Sequence, residues 1–288
     1  GIIGITLITE LFGHLDLVTH IYHTPDQQLA QEWKNKFGDL FAEGEFWSKN
    51  VKGANFDKYH DYPISLELIE NFPKPLREKI LSELENCSEL KRSQATDFYE
   101  YVKALVGPTL LDYFFVKYPQ KLWGISVREM TANWAPKRVQ ITKKSQHFHA
   151  GQWCAAGKFG SGQILERMAS QFRQKGGQIF LNKRVTHIEY AENHLKKLIV
   201  NDQETIVIRP QDYLVSTMPV HTLARRLGIN NTLKFRGAML FFVAVNRPVV
   251  IPGKACFLYY DAPKISFHRV SEQKKFCRDG FPENQTVL

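Results

Sequence analysis

The sequence predicts a mixed α/β or α+β protein, and three observations carry that expectation. Between residues 75 and 118 apolar side chains recur at helical spacing with no strand-like alternation. After Gly151, short strand-like runs alternate with an amphipathic helix. No period of self-similarity runs through the 288 residues, which excludes a repeat protein.

Taken in order, residues 1–11 read as an apolar helix start and 15–24 as a strand-like run. Thr24-Pro25-Asp26 reads as a helix entry, the threonine hydroxyl capping and the proline in the first turn. That helix carries Leu29, Trp33 and Phe37 at four-residue spacing and stops at Gly38. Residues 46–62 predict strand, turn and strand around Lys52-Gly-Ala-Asn55, and Tyr62-Pro-Ile-Ser65 leads into a short helix over 66–71.

In the helical block Leu76, Ile80, Leu81 and Leu84 mark one face, and Phe98, Val102 and Leu105 another. Gly107-Pro108 separates two helices, after which Leu110, Leu111, Phe114 and Phe115 continue the apolar stripe. Ser126, with Glu129 three residues on, predicts a boxed cap for a helix running through Met130. The helix over 161–175 sets Ile164, Leu165, Met168 and Phe172 on one face and ends at Gly176-Gly177. Strands follow near 178–182, 185–190, 196–200, 205–209 and 213–216, with a hairpin turn at Asp202-Gln203. A helix over 220–227 precedes strands around 236–246, 256–260 and 265–270.

Composition narrows the function classes. The formal net charge is +9, but basic pairs such as Lys143-Lys144 and Lys274-Lys275 are too short for a nucleic-acid arm. Aromatics sit in apolar runs rather than interleaved with arginine, which argues against a base-stacking platform. A solvated basic surface, or attraction of an anionic small-molecule substrate, remains. No apolar run reaches membrane-spanning length, and residues 238–245 suit a buried strand. The first ten residues lack a basic leader. Cys87, Cys154, Cys256 and Cys277 are scattered, with no Cys-x-x-Cys and no histidine at ligand spacing. That pattern predicts reduced thiols, a cytoplasm-like location and no metal site.

Several stretches carry candidate chemistry. Gly1-Ile-Ile-Gly4 reads either as an ordinary helix start or as the second half of a dinucleotide fingerprint, in which glycines admit a pyrophosphate and a close helix. The preceding strand, the first glycine and the ribose-binding acid of that fingerprint are missing from the sequence, and Asp16 comes too early. His20 and His23, three apart on an extended segment, face roughly opposite sides, which argues against a shared metal. Arg138 is suited to bidentate binding of an anionic group, or to a plain surface position.

The glycine-rich turn Gly157, Gly160, Gly162, its helix, the following strands and Asp212-Tyr-Leu-Val-Ser-Thr-Met-Pro219 together resemble the second flavin-domain segment of FAD-dependent amine oxidases, protoporphyrinogen oxidases and UDP-galactopyranose mutases. Four further stretches are similar to mutase motifs. Asp16-Leu-Val-Thr-His20-Ile-Tyr-His23-Thr24 resembles a flavin-side segment, with Val18-Thr19 in place of glycine and a small residue. Tyr62-Pro-Ile-Ser65 has serine where mutases carry a substrate-holding asparagine. Residues 105–123 resemble the block whose tyrosine and tryptophan line the uridine pocket; Tyr118 and Trp123 match, and Pro119 replaces a threonine. Lys264-Ile-Ser-Phe-His-Arg269-Val-Ser-Glu272-Gln-Lys-Lys-Phe276 matches the segment whose arginine stabilises reduced, anionic flavin, with Glu272 placed to orient Arg269.

The resemblance implies a partial Rossmann-like FAD-binding domain, an inserted helical domain and an antiparallel-sheet substrate domain. The implied divisions are 1–24 (dinucleotide remnant and flavin-side strand), 25–150 (mainly helical), 151–220 (second FAD part) and 221–288 (sheet part). FAD is the implied cofactor, contacted by Gly1, Gly4, Val185, Ser216, Thr217 and Pro219. Arg269, His20 and His23 take catalytic positions, and Tyr118, Trp123, Arg138 and Ser65 take substrate positions. Three functions stay open: flavin chemistry on a nucleotide sugar such as a UDP-sugar, hydride transfer in the oxidase manner, or a shortened, inactive FAD-domain protein. The last follows from the incomplete fingerprint and from the lack of a closing flavin segment before Leu288.

Overall fold

The computed structural model describes residues 6–9, 13–16, 20–192, 194–276 and 281–288. Gly1 and Gly4 lie outside the described residues, so the fingerprint expectation meets no structural test. The chain divides into two compact units, one formed by Leu165–Met239 and the other by the described residues up to Ile164 together with Leu240–Leu288.

Strands β1 (Thr6–Thr9) and β2 (Gly13–Asp16) form an antiparallel pair with Thr6 opposite Asp16. The expected helix start is thus a strand over Thr6-Leu-Ile-Thr9, a run with three β-branched residues. Strand β3 (Ile21–Thr24) leads to helix α1 (Gln27–Phe37). The cap of α1 is Asp26, whose carboxylate accepts from the Gln28 and Leu29 N–H groups; Thr24 stands two residues before it, accepting from Asp26 N–H. A carboxylate at the positive helix end outcompetes a hydroxyl two residues earlier.

After a short 3-10 turn come β4 (Phe41–Glu43), β5 (Trp47–Lys52), β6 (Lys58–Tyr62) and β7 (Ile64–Ser65). Helices α2 (Leu66–Glu70), α3 (Lys74–Glu85), α4 (Glu89–Ser93) and α5 (Phe98–Leu110) follow. Gly107 kinks α5 with φ +80°. A single π-turn over Leu111–Phe115 joins α5 to α6 (Lys117–Trp123), which Gly124 closes in the left-handed region. The expected stripe is the core: Phe98, Val102, Val106, Leu110, Leu111, Phe114 and Phe115 pack with Ile64, Ile69 and Ile80.

Ser126 does not start a helix. Its hydroxyl accepts from Arg128 N–H in a turn, because Met130 C=O is taken by Phe98 N–H and Thr131 bridges Asp97. Pairing with the start of α5 wins over a local helix. Beyond a 3-10 turn (Ala132–Lys137) lie β8 (Ile141–Thr142), parallel to β7, and β9 (Trp153–Gly157), which sits between β3 and β4. Helix α7 (Ser161–Gln174) begins where expected. A Cβ on Gly157 would fall 2.5 Å from the Gly160 carbonyl carbon, so that turn needs glycine.

In the Leu165–Met239 unit, β10 (Val185–Ala191), β11 (His194–Val200) and β12 (Glu204–Val207) make an antiparallel meander, and α8 (Val220–Arg226) follows. The hairpin between β11 and β12 turns one residue earlier than the expected Asp202-Gln203, with positive φ at Asn201 and Asp202. Residues 178–182 and 213–216, expected as strands, have no ladder among the described residues. An isolated apolar strand gains nothing without a neighbour to take its N–H groups and cover its side chains, and Leu181 and Val215 are 74% and 85% exposed.

In the larger unit the expected strand over 236–246 shrinks to β13 (Ala244–Val245), paired with β16 (Thr286–Val287). Phe241, expected buried, is 74% exposed. Strands β14 (Ala255–Tyr260) and β15 (Arg269–Ser271) complete a four-stranded sheet in the order β15-β14-β5-β6, with β14 parallel to β5 and the other pairs antiparallel. The mixture of helices and sheets bears out the α/β or α+β expectation.

Candidate functional site

Register in the four-stranded sheet builds the site. Tyr259 lies opposite Arg269 across β14 and β15, Phe257 opposite Ser48 on β5, and Ser48 opposite Tyr62 on β6. Side chains two apart share a face of a strand, so Phe257, Tyr259, Ser48 and Tyr62 come to one side. Contacts agree: the Arg269 guanidinium sits 5.3 Å from the centre of the Phe257 ring, and Tyr259 meets Tyr62 edge-on at 6.0 Å. Tyr118, the second residue of α6, packs edge-on against Tyr259 at 5.2 Å and lies 6.1 Å from the His268 ring.

A second layer comes from the chain after α6. The Tyr62 hydroxyl donates to Arg138 C=O, which pins Arg138 beside the sheet. Phe148 stacks on Tyr62 at 5.9 Å, and the neighbouring His149 stacks on His23 of β3 at 3.6 Å with an 18° tilt. His23 Nδ1 lies 2.9 Å from Gln152 Oε1. His23, Tyr118, Arg138 and Arg269, far apart in sequence, are thus linked through Tyr62, Tyr259, Phe148 and His149.

The electrostatics are one-sided. Among the described residues neither Arg138 nor Arg269 has an ion-pair partner within salt-bridge distance. Burial pushes the hydroxyls of Tyr62 and Tyr259 up, the nearby arginines only partly opposing it, so both stay protonated donors. Burial first, then His23, His147 and Arg138, pushes His149 down to about 4, so its ring is neutral near pH 7.

The remaining predicted residues fall elsewhere. Trp123 ends α6, half-exposed, and meets Trp134 edge-on at 5.9 Å; Arg138 lies 5.9 Å from that same Trp134 ring. Ser65 is fully buried and caps α2, its hydroxyl accepting from Leu68 N–H at 3.1 Å. Glu272, expected to orient Arg269, is fully buried and accepts instead from Val250 and Ile251 N–H at 3.0 and 2.8 Å. Two backbone donors hold its carboxylate away from the arginine. Val185 opens β10, Ser216 and Thr217 lie exposed before α8, and Pro219 is the cap residue of α8.

Sequence reasoning passed over Tyr259, Phe148, His149 and Gln152 and gave Tyr62 no role of its own. The alternation Phe257-x-Tyr259 and the cluster His147-Phe-His149 were the available signals. A separate cleft of about 520 Å³ between α3, α4 and α5 shares none of the site residues.

A flavin fits this donor set. His20 Nε2, His147 Nδ1 and Trp153 Nε1 are buried with no hydrogen-bond partner among the described residues, on β9 or in the segments entering β3 and β9. Buried polar nitrogens without partners are uncommon, and a bound group rich in acceptors is one way to satisfy them.

Residues 21–263 match the family model described as flavin containing amine oxidoreductase. The fold is similar to that of a reduced UDP-galactopyranose mutase, with TM-score 0.72 and 17% identity, covering 98% of this chain and 64% of that one. It is also similar to a protein designated a protoporphyrinogen oxidase from Exiguobacterium sp. 255-15, with TM-score 0.65 and 13% identity, covering 99% and 67%. The chain therefore spans about two thirds of the length of these structures. No curated protein matches the sequence.

Proposed function

The chain belongs to the flavin containing amine oxidoreductase family, whose cofactor is FAD, and from that premise we propose a flavoenzyme acting on a nucleotide sugar or similar anionic substrate. The carrying observation is the pair Arg138 and Arg269, without ion-pair partners among the described residues and set among Tyr62, Tyr118 and Tyr259. Two such guanidiniums beside aromatic faces favour a ligand with an anionic group and a flat ring. FAD, when bound, supplies the redox-active ring.

The chain's own groups have separate tasks in this reading. Arg138 and Arg269 bind and orient the anion, and Tyr118 and Trp123 offer aromatic surface to a base. The protonated Tyr259 hydroxyl adds polarity without negative charge, while Tyr62 spends its O–H on Arg138 C=O. His20 and His23 serve the flavin side within the larger unit. The family match favours a second reading, oxidation of a reduced substrate at the same site.

The test is reconstitution of the purified chain with FAD, followed by titration of the reduced protein with UDP while the flavin spectrum is recorded. UDP should perturb the spectrum, and Arg269→Lys or Arg138→Lys should weaken that response about tenfold or more through loss of bidentate contact. A colourless chain that FAD cannot reconstitute would sink the flavoenzyme. Binding of FAD with no response to UDP would favour the oxidase reading.

A further inference from the structure

The segment 147–152 is fastened to β3 by two contacts on one ring. Gln152 Oε1 lies 2.9 Å from His23 Nδ1, and the His149 ring stacks on the same imidazole at 3.6 Å. An amide oxygen only accepts, so this contact places a proton on Nδ1 and leaves the Nε2 lone pair free. Free imidazole prefers the opposite tautomer, so the protein is working against an intrinsic bias.

The stack also limits charge. Two imidazoliums at that distance repel each other, so the arrangement holds best with one ring neutral. Besides His23, the charged or titratable groups acting on His149 are His147 from the same segment and Arg138 from the turn after Lys137. Cys154 of β9 donates its thiol to His149 C=O at 3.7 Å, and Phe148 stands edge-on to the His149 ring at 5.1 Å. His149 is thereby held in place by its own neighbours.

We propose that Gln152 and His149 are positioning residues for His23: the Gln152 oxygen selects the Nδ1–H tautomer, and the stacked His149 ring fixes the imidazole plane, so that Nε2 is presented as an acceptor. This rests on the reading that His23 serves the flavin side of the site.

Two-bond ¹H–¹⁵N correlation spectra of the imidazoles, taken on the full chain without cofactor, test it. At a pH where His23 is neutral the wild type should show Nδ1–H. Gln152→Leu should return the ring toward Nε2–H, with the tautomer ratio changing about tenfold, as expected for a hydrogen bond worth about 1.4 kcal/mol. Gln152→Glu keeps the acceptor, so it should retain Nδ1–H. His149→Phe should preserve both tautomer and ring order, whereas His149→Ala should preserve the tautomer and loosen the ring.

Gln152 and His149 are only half-buried and His23 is exposed, so these variants spare the core. An Nε2–H tautomer in the wild type would overturn the proposal. So would an unchanged ratio in Gln152→Leu, or an equally ordered ring in His149→Ala. FAD binding is scored separately on the same samples. Failure to bind FAD with the tautomer pattern intact would defeat the flavin reading and leave the positioning standing.

Discussion

His149 ties the site to folding. Its folded ring titrates at about 4 because it is half-buried and faces His23, His147 and Arg138, whereas an unfolded histidine takes its proton near 6.5. Between those values the unfolded chain binds more protons, so the contribution of this residue is fully present above about pH 6.5 and is lost as pH falls toward 4. We expect the melting temperature to decline over that window and to decline less in His149→Phe, which keeps the stack but cannot titrate. Identical profiles by scanning fluorimetry would contradict this. Of the candidate site, Tyr118, Arg138 and Arg269 are the residues that motif spacing picks out of the sequence. Tyr259 and His149 were not, because their importance comes from partners more than 100 residues away, His23 for His149 and Tyr118 or Tyr62 for Tyr259.

At the scale of elements, the helical block was read well because its apolar stripe is long and periodic, and Gly107-Pro108 was rightly read as a break. Gly107 also admits the Glu83 side chain, whose carboxylate accepts from Thr109 N–H and Oγ1 at 2.7 Å. A Cβ at position 107 would lie 2.7 Å from Glu83 Cβ at a φ of +80°. Gly107→Ala should therefore cost about 1–3 kcal/mol in urea denaturation, from backbone strain plus the displaced glutamate. A variant as stable as the wild type would show that the kink relaxes freely. Short elements were read less well. Ser126 carried a good local helix signal that strand-like pairing with α5 overrode, and Asp26 displaced Thr24 as cap. The runs over 178–182 and 213–216 have strand composition, but a strand is decided by its neighbour.

For the whole molecule, the two units differ in how much regular structure they hold. From Ile229 to Val243 the chain has neither helix nor ladder and includes Lys234 and Arg236. Such a stretch opens at little cost, so limited trypsin digestion should cut there first, separating residues 1–236 from 237–288 or cutting after Lys234. An earlier cut within α5 would refute that ranking, as read by mass spectrometry of the first fragments. The π-turn over Leu111–Phe115 has a consequence of another kind, for descent. It holds one residue more than an α-helical turn would need, and each residue turns a helix by about 100°. A lineage that lost one residue from this turn would swing Tyr118 away from Tyr259, although every amino acid of the pocket remained in its genes. Length, as much as identity, is what inheritance must keep constant here.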